Sequence, residues 1–151
     1  MSMSLWVPQQ ILKGITMSTD RGKQAEFYTK KPSTIIIDID GTTVKHAHVF
    51  SDLMWGEPEL NPGVRDKLNE WDSLGHTIIL MTARKESARA MTERQLEDLG
   101  VMWDHLIMGV TSGKRVLIND KLKPEDPDRA IGVNVITDSG FNDTDWEEIG
   151  L

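Results

Sequence analysis

The chain has 151 residues, no cysteine, 38% hydrophobic residues and a formal net charge of −7. That length suits a single domain, the missing cysteine excludes disulfides and thiolate metal sites, and no apolar run is long enough to be a membrane-spanning helix. The acidic balance opposes nonspecific binding to polyanions, so nucleic acid is disfavoured as a partner; an anionic substrate would need a local basic mouth, for which Arg84, Lys85, Lys114, Arg115, Lys121 and Lys123 are available.

Residues 1–33 read as a peripheral extension rich in Ser, Thr, Gln and Lys. Pro8, Gln9 and Gln10 interrupt its apolar residues and no basic leader precedes them, so the expected address is the cytoplasm. Thr34-Ile35-Ile36-Ile37 is a continuous β-branched run, the pattern of a strand buried on both faces of a parallel sheet. It stops abruptly at Asp38-Ile39-Asp40-Gly41-Thr42. Residues 43–60 carry no strong period, and Val44, Val49, Phe50 and Trp55 predict a small flap.

Asn61-Pro62-Gly63 predicts a helix start with Asn61 as N-cap. Val64, Leu68, Trp71 and Leu74 mark its apolar face and Gly75 its stop. His76–Met81 reads as a second buried strand ending at Thr82-Ala83-Arg84. A helix over 86–99 follows, with Ala88, Met91, Leu96 and Leu99 inward and Gly100 as its end. His105–Met108 predicts a third strand, Arg115–Ile118 a fourth ending at Asn119-Asp120, and Ala130–Ile136 a fifth. Residues 137–151 read as an acidic, loosely held tail. Strands alternating with helices imply right-handed crossovers and an α/β, three-layer, Rossmann-like fold: a mostly parallel sheet with helices on both faces.

In such a sheet the strand ends carrying Asp38-x-Asp40, Thr82 and Asn119-Asp120 converge on one crevice. The cluster suits phosphoryl transfer. A strand-end carboxylate can attack phosphorus and form an acyl phosphate. Paired carboxylates favour a hard divalent cation such as magnesium, which lets one anion approach another. A hydroxyl and a cation would hold the remaining phosphoryl oxygens, and a second acid could protonate the leaving oxygen and then activate water. His46 and His48 alone make an incomplete metal site. Trp71 reads as core, Trp55 as flap packing, and the Asp143–Glu148 charges as a solvated face.

The run Asp38-Ile39-Asp40-Gly41-Thr42 after its strand resembles the first motif of the haloacid dehalogenase (HAD) superfamily. Thr82 resembles its second motif, Lys114 its third and Asn119-Asp120 its fourth. The resemblance spans roughly residues 34–136 and implies a HAD-like catalytic domain. It implies that Asp38 is the nucleophile and a magnesium ligand, and that Asp40 is the general acid/base and a ligand through its carbonyl. Thr82 would hold the phosphoryl group, Lys114 would stabilise its charge, and Asp120, with Asn119 beside it, would complete the metal site. By their places beside these motifs, Gly41, Thr42, Ala83, Arg84 and Arg115 are the candidates to line the phosphate-binding region, with Arg84 and Lys85 either meeting an anionic substrate or flanking the next helix. Arg115, Lys121 and Lys123 compete with Lys114 for the third motif, and Asn119 stands where many members carry Asp.

The intervals between Asp38, Thr82 and Lys114 leave no room for the inserted cap domains of that superfamily, which implies an open site or one closed by a second subunit. A weaker resemblance to small phosphatase-like proteins of surface-sugar biosynthesis ranks a sugar phosphate first as substrate. A nucleic-acid 3′-phosphatase or a noncatalytic binding protein is the alternative.

Overall fold

In the computed structural model, residues 31–47 and 56–151 are described. The expectations placed on residues 1–30 and on His48, Val49, Phe50 and Trp55 fall outside the described residues. Strand β1 spans Thr34–Asp38, helix α1 Val64–Ser73, strand β2 Thr77–Met81, helix α2 Arg89–Asp98 and strand β3 His105–Ile107. A 3₁₀ turn, Glu86–Ala88, leads into α2. The three strands pair in parallel in the order β1-β2-β3. Apart from one fewer residue in each of β2 and β3, one more in β1 and shorter helices, these are elements the hydrophobic pattern predicts, in the expected α/β class.

The burial of the strands differs from the prediction. Thr34–Asp38 alternates, with Ile35 and Ile37 buried while Ile36 is 42% exposed. Register explains the rows. Ile35 stands beside Ile78, and Ile37 beside Leu80 and Leu106, on one face; Ile36, Ile79 and His105 share the other. Val64, Leu68 and Trp71 of α1 and Leu96 of α2 pack with Ile35, Ile37, Ile78 and Leu80 in one core. The reason is topological. Sequential strand order makes both crossovers step the same way, and right-handed crossovers stepping the same way put both helices on the same face. Among the described residues, then, the helix layer covers one face of the sheet.

Both helices end by the same device. Gly75 (φ 82°) and Gly100 (φ 68°) take the left-handed conformation that a side chain resists. His76 N–H reaches Trp71 C=O and Val101 N–H reaches Leu96 C=O, while the glycine amides bond Asp72 and Glu97. These paired bonds form Schellman motifs, which satisfy the carbonyls that a helix end leaves open. At the start of α1 the prediction fails: Gly63 occupies the cap position and no side chain caps it. Asn61 is buried and turned toward residue 42 instead.

Two expected strands do not form. Arg115–Ile118 and Ala130–Ile136 lie in irregular chain. Val116 is 79% and Ile118 89% exposed, so the apolar run makes no ladder. A strand exists only through its partner, and this run has found none. The expectation of a loose C-terminal end is also corrected. Phe141 is buried in the core, and its ring lies 5.8 Å from Trp71 and 5.1 Å from Trp146, in tilted and edge-on contacts. Trp146 Nε1 donates to the Phe141 carbonyl at 3.0 Å. Residues 32–151 thus form one compact unit.

This packing predicts that Phe141→Ala lowers the unfolding free energy by about 3–5 kcal/mol in a urea titration. A loss under roughly 0.5 kcal/mol, the size of an ordinary surface substitution, would restore the loose-tail reading.

Candidate active site

The chain leaving β1 is folded back on itself at once. The Ile39 carbonyl receives the amides of Thr42, Thr43 and Val44 at 3.3, 2.9 and 3.0 Å. Gly41 (φ 88°) makes the reversal, and a Cβ there would stand 3.1 Å from Thr137 Cγ2. Three residues brace this loop, Thr43 from within it and two from elsewhere. Thr43 Oγ1, fully buried, donates to the Asp38 carbonyl at 2.7 Å. Asn61 Nδ2 donates to the Thr42 carbonyl at 3.0 Å. Asp138 donates its amide to the Gly41 carbonyl and accepts the His46 amide on Oδ1, each at 2.8 Å. The left-handed backbone of Asp138 (φ 64°) allows both contacts from one residue.

Asp40 lies within this turn and meets the end of β2. Thr82 Oγ1 donates to Asp40 Oδ2 at 3.2 Å. The same oxygen accepts the Arg84 amide at 3.1 Å. Arg84 Nη2 donates to Asp40 Oδ1 at 2.6 Å, and Nε to both carboxylate oxygens at 3.2 and 3.0 Å. The Arg84 side chain is only 4% exposed and that of Asp40 24%. Its Nη1 is held in turn by Thr92 Oγ1 at 3.2 Å and Gln95 Oε1 at 2.9 Å, both on α2. This differs from the substrate-facing role expected of Arg84: the guanidinium points inward. Thr82, expected to hold a phosphoryl group, is fully buried and spends its hydroxyl hydrogen on Asp40. Ala83 between them is exposed. The Thr82 and Arg84 carbonyls accept the amides of Val110 and Gly109, which ties this strand end to the chain after β3.

Asp38 faces a different cation. Arg115 Nη1 stands 2.8 Å from Asp38 Oδ1. Lys114, favoured by sequence for that position, is exposed and makes no ion pair among the described residues. The sequence left the choice between neighbours open, and the fold brings Arg115. Of the other contenders, Lys121 pairs with Asp128 at 2.5 Å, and Lys123 is exposed. Asn119 and Asp120 ride on the irregular segment that fails to form a strand. Asn119 Oδ1 accepts the Asp120 amide, and the Asp120 side chain, 75% exposed, pairs with Arg129 at 3.1 Å.

The residues expected to hold magnesium therefore do not make a cage as they stand. Asp38 and Asp40 share one strand end, but their carboxylates face Arg115 and Arg84, and no group of three His, Asp or Glu among the described residues is placed to hold a metal. A hard dication needs several converging oxygens, and Asp120 does not supply the third here.

Thr43, Asn61, Thr92, Gln95 and Asp138 are the residues that sequence reading missed. One signal was present: Thr92 falls on the inward stripe of α2, between Ala88 and Leu96, and a polar residue on such a stripe needs a partner. Asn61 and Asp138 are tied across long stretches of chain, and neither they nor Thr43 and Gln95 carry a local pattern. Away from the site, the Arg89 guanidinium beside Glu86 holds that carboxyl below its ordinary value by hydrogen bonding, and Glu86 raises Arg89 in return. This exposed pair also anchors the start of α2, since Arg89 donates to the Leu106 carbonyl at 3.2 Å.

A family profile described as the polynucleotide kinase PNKP phosphatase domain matches residues 32–125, more than half of the chain. Among solved structures, a chain of the Pnkp1/Rnl/Hen1 complex is similar at 28% identity with a TM-score of 0.47. That match covers 58% of this chain and 31% of the other, so the present chain spans under a third of that relative. No curated protein matches it.

The bracing of the loop predicts unequal effects at adjacent threonines. Thr43→Val leaves a buried Asp38 carbonyl without its donor and should cost about 1–3 kcal/mol of stability by chemical denaturation. Thr42→Val should cost less than about 0.5 kcal/mol. Equal losses at the two positions would contradict the placement of the Thr43 hydroxyl.

Proposed function

Given that this chain belongs to the polynucleotide kinase PNKP phosphatase-domain family, and is thereby a HAD-type phosphatase, we propose that it removes a terminal 3′-phosphate from a polynucleotide through an aspartyl-phosphate formed on Asp38. The observation that carries this reading is the pairing of two carboxylates at one strand end with separate cations: Asp38 with partly exposed Arg115, Asp40 with buried Arg84.

An Asp38 carboxylate oxygen attacks phosphorus. The bond from phosphorus to the leaving oxygen breaks, and that oxygen takes a proton from Asp40. Water then attacks the phosphorus of the acyl phosphate and gives a proton to Asp40. Breaking of the bond to Asp38 releases inorganic phosphate and restores both carboxyl groups. Arg115, 2.8 Å from the Asp38 oxygen, is placed to steady charge on the nucleophile and on the entering phosphoryl group. A free phosphate dianion repels a carboxylate, and a guanidinium beside the nucleophile reduces that repulsion.

The substrate class rests on the family match. Net charge disfavoured nucleic acid and the weaker surface-sugar resemblance ranked a sugar phosphate first; the family's description, a polynucleotide kinase phosphatase domain, supports reversing that order. Local attraction for a polyanion would come from one stretch in spite of the overall sign, with Arg115 and Lys121 already paired to Asp38 and Asp128. Lys114, Arg115, Lys121 and Lys123 fall on one exposed stretch that follows the site strands.

Magnesium enters as the ion the family resemblance implies, and it would supply Lewis-acid charge neutralisation at the phosphoryl oxygens. Asp38 and the Asp40 carbonyl are its candidate donors here, with Asp120 a third only after leaving Arg129.

Steady-state assays on a 3′-phosphorylated oligonucleotide, a sugar phosphate and p-nitrophenyl phosphate test the reading. The oligonucleotide should give the highest kcat/KM, and that value alone should fall steeply with added salt, because its contacts release counterions. Asp38→Asn should reduce turnover of every ester by about 10⁴-fold or more. A sugar phosphate preferred at all salt concentrations would return the substrate to a small metabolite.

Calorimetric titration with magnesium provides a second check. Binding heat should disappear in Asp38→Asn and weaken in Asp120→Asn. Unchanged binding in Asp120→Asn would remove that residue from the ligand set.

A further inference from the structure

Its position just after the Thr82 strand end made Arg84 a candidate to greet the substrate. Its surroundings assign it elsewhere. The guanidinium is almost wholly buried, and its donors are committed to protein acceptors: Nε and Nη2 to the two oxygens of Asp40, and Nη1 to Thr92 and Gln95. A planar fork bound to both oxygens of a carboxylate fixes the plane of that carboxylate, which a single-point donor cannot do. Thr82 adds a third donor from the strand end. The fork is itself fixed, because helix α2 presents Thr92 and Gln95 to its far side, and α2 is anchored in the core through Leu96.

We infer that Arg84, held by Thr92 and Gln95, is a positioning residue for Asp40: it sets the direction in which Asp40 gives and takes its proton, and it does not bind the substrate. The inference rests on the hydrolase reading above and names a task within it. Proton donation to a leaving oxygen demands that the carboxyl group point at that oxygen, and misplacement by about 1 Å can cost about 10²-fold in rate. A carboxylate freed to rotate about its last bond loses that direction. The need for the proton depends on the leaving group. An alkoxide such as the 3′-oxygen of a nucleotide leaves poorly without one, whereas p-nitrophenolate leaves unaided.

This difference separates a positioning residue from a substrate contact. Single-turnover release of the leaving group, with enzyme in excess, isolates the first chemical step. For Arg84→Gln we expect release from a 3′-phosphorylated oligonucleotide to slow by roughly 10²-fold. Release of p-nitrophenol should change by less than about threefold, since that step needs no acid. The enzyme concentration giving half-maximal rate should stay within about twofold for both esters, as expected when no ground-state contact is lost. Gln95→Met, which keeps Arg84 but removes one of its braces, should show the same selectivity at a few-fold magnitude; it carries the test if Arg84→Gln fails to fold by circular dichroism.

Equal slowing of both esters, or a raised half-saturation for both, would overturn the inference and return Arg84 to phosphate binding. A wild-type protein that releases neither leaving group would sink the hydrolase reading itself, and this inference with it.

Discussion

Parallel pairing of β1 with β2 in a single register holds the site together. Thr34 stands beside Thr77 and Asp38 beside Met81, so both strands run out at the same edge of the sheet. Asp40 and Thr82, 42 residues apart in sequence, meet there as a consequence. A slip of one residue would turn Ile35 and Ile37 toward the open face and carry the two aspartates away from Thr82 and Arg84. Burial prevents the slip. Each of the core side chains Ile35, Ile37, Ile78 and Leu80 contributes on the order of 1.5–3 kcal/mol by leaving water, and only one register lets all of them face α1 and α2.

A buried arginine follows from the same geometry. Withdrawing a guanidinium from water is costly unless a carboxylate and further acceptors receive it. The edge of the sheet provides Asp40, and the polar flank of α2 provides Thr92 and Gln95. Helix α2 thus works in two directions: Leu96 seals the core while Thr92, one turn earlier, supports the charge pair. The two strand-end aspartates are consequently unlike. Both are partly exposed, but Asp40 is held on both oxygens by a buried arginine, whereas Asp38 meets a partly exposed arginine from the chain after β3. Such asymmetry suits a division of labour between a carboxyl group that manages protons and one that forms a bond.

Net charge does not by itself rank the substrates of such a site. A sum over 151 residues describes the field far from the molecule, while recognition is decided within about a Debye length, roughly 8 Å at physiological salt. The cations that would meet a polyanion occupy one exposed stretch, and most of the acidic residues lie elsewhere along the chain. That stretch also carries Val116 and Ile118 into solvent, so the segment bearing Asn119-Asp120 stands apart from the carboxylates it was expected to join.

The sequence by itself determined the elements whose signals are local. Three β-branched or apolar runs became strands, two amphipathic periods became helices, and Gly75 and Gly100 ended them through backbone freedom that other residues lack. It also supplied Asp38 and Asp40 as the candidate pair: Asp-x-Asp-Gly-Thr alone suits a turn, and the apolar strand before it with the matching strand ends after it carried the catalytic reading. Tertiary structure alone decided the rest. It selected Arg115 over Lys114, turned Arg84 inward, recruited Thr43, Asn61 and Asp138 to the loop, and packed Phe141 into the core. It also left Arg115–Ile118 unpaired despite a pattern as apolar as that of β2. The physical reason is common to all of these. Periodicity and turn chemistry are written within a few residues, but an ion pair, a ladder or a buried hydrogen bond needs a partner brought from far along the chain, and no local pattern names that partner.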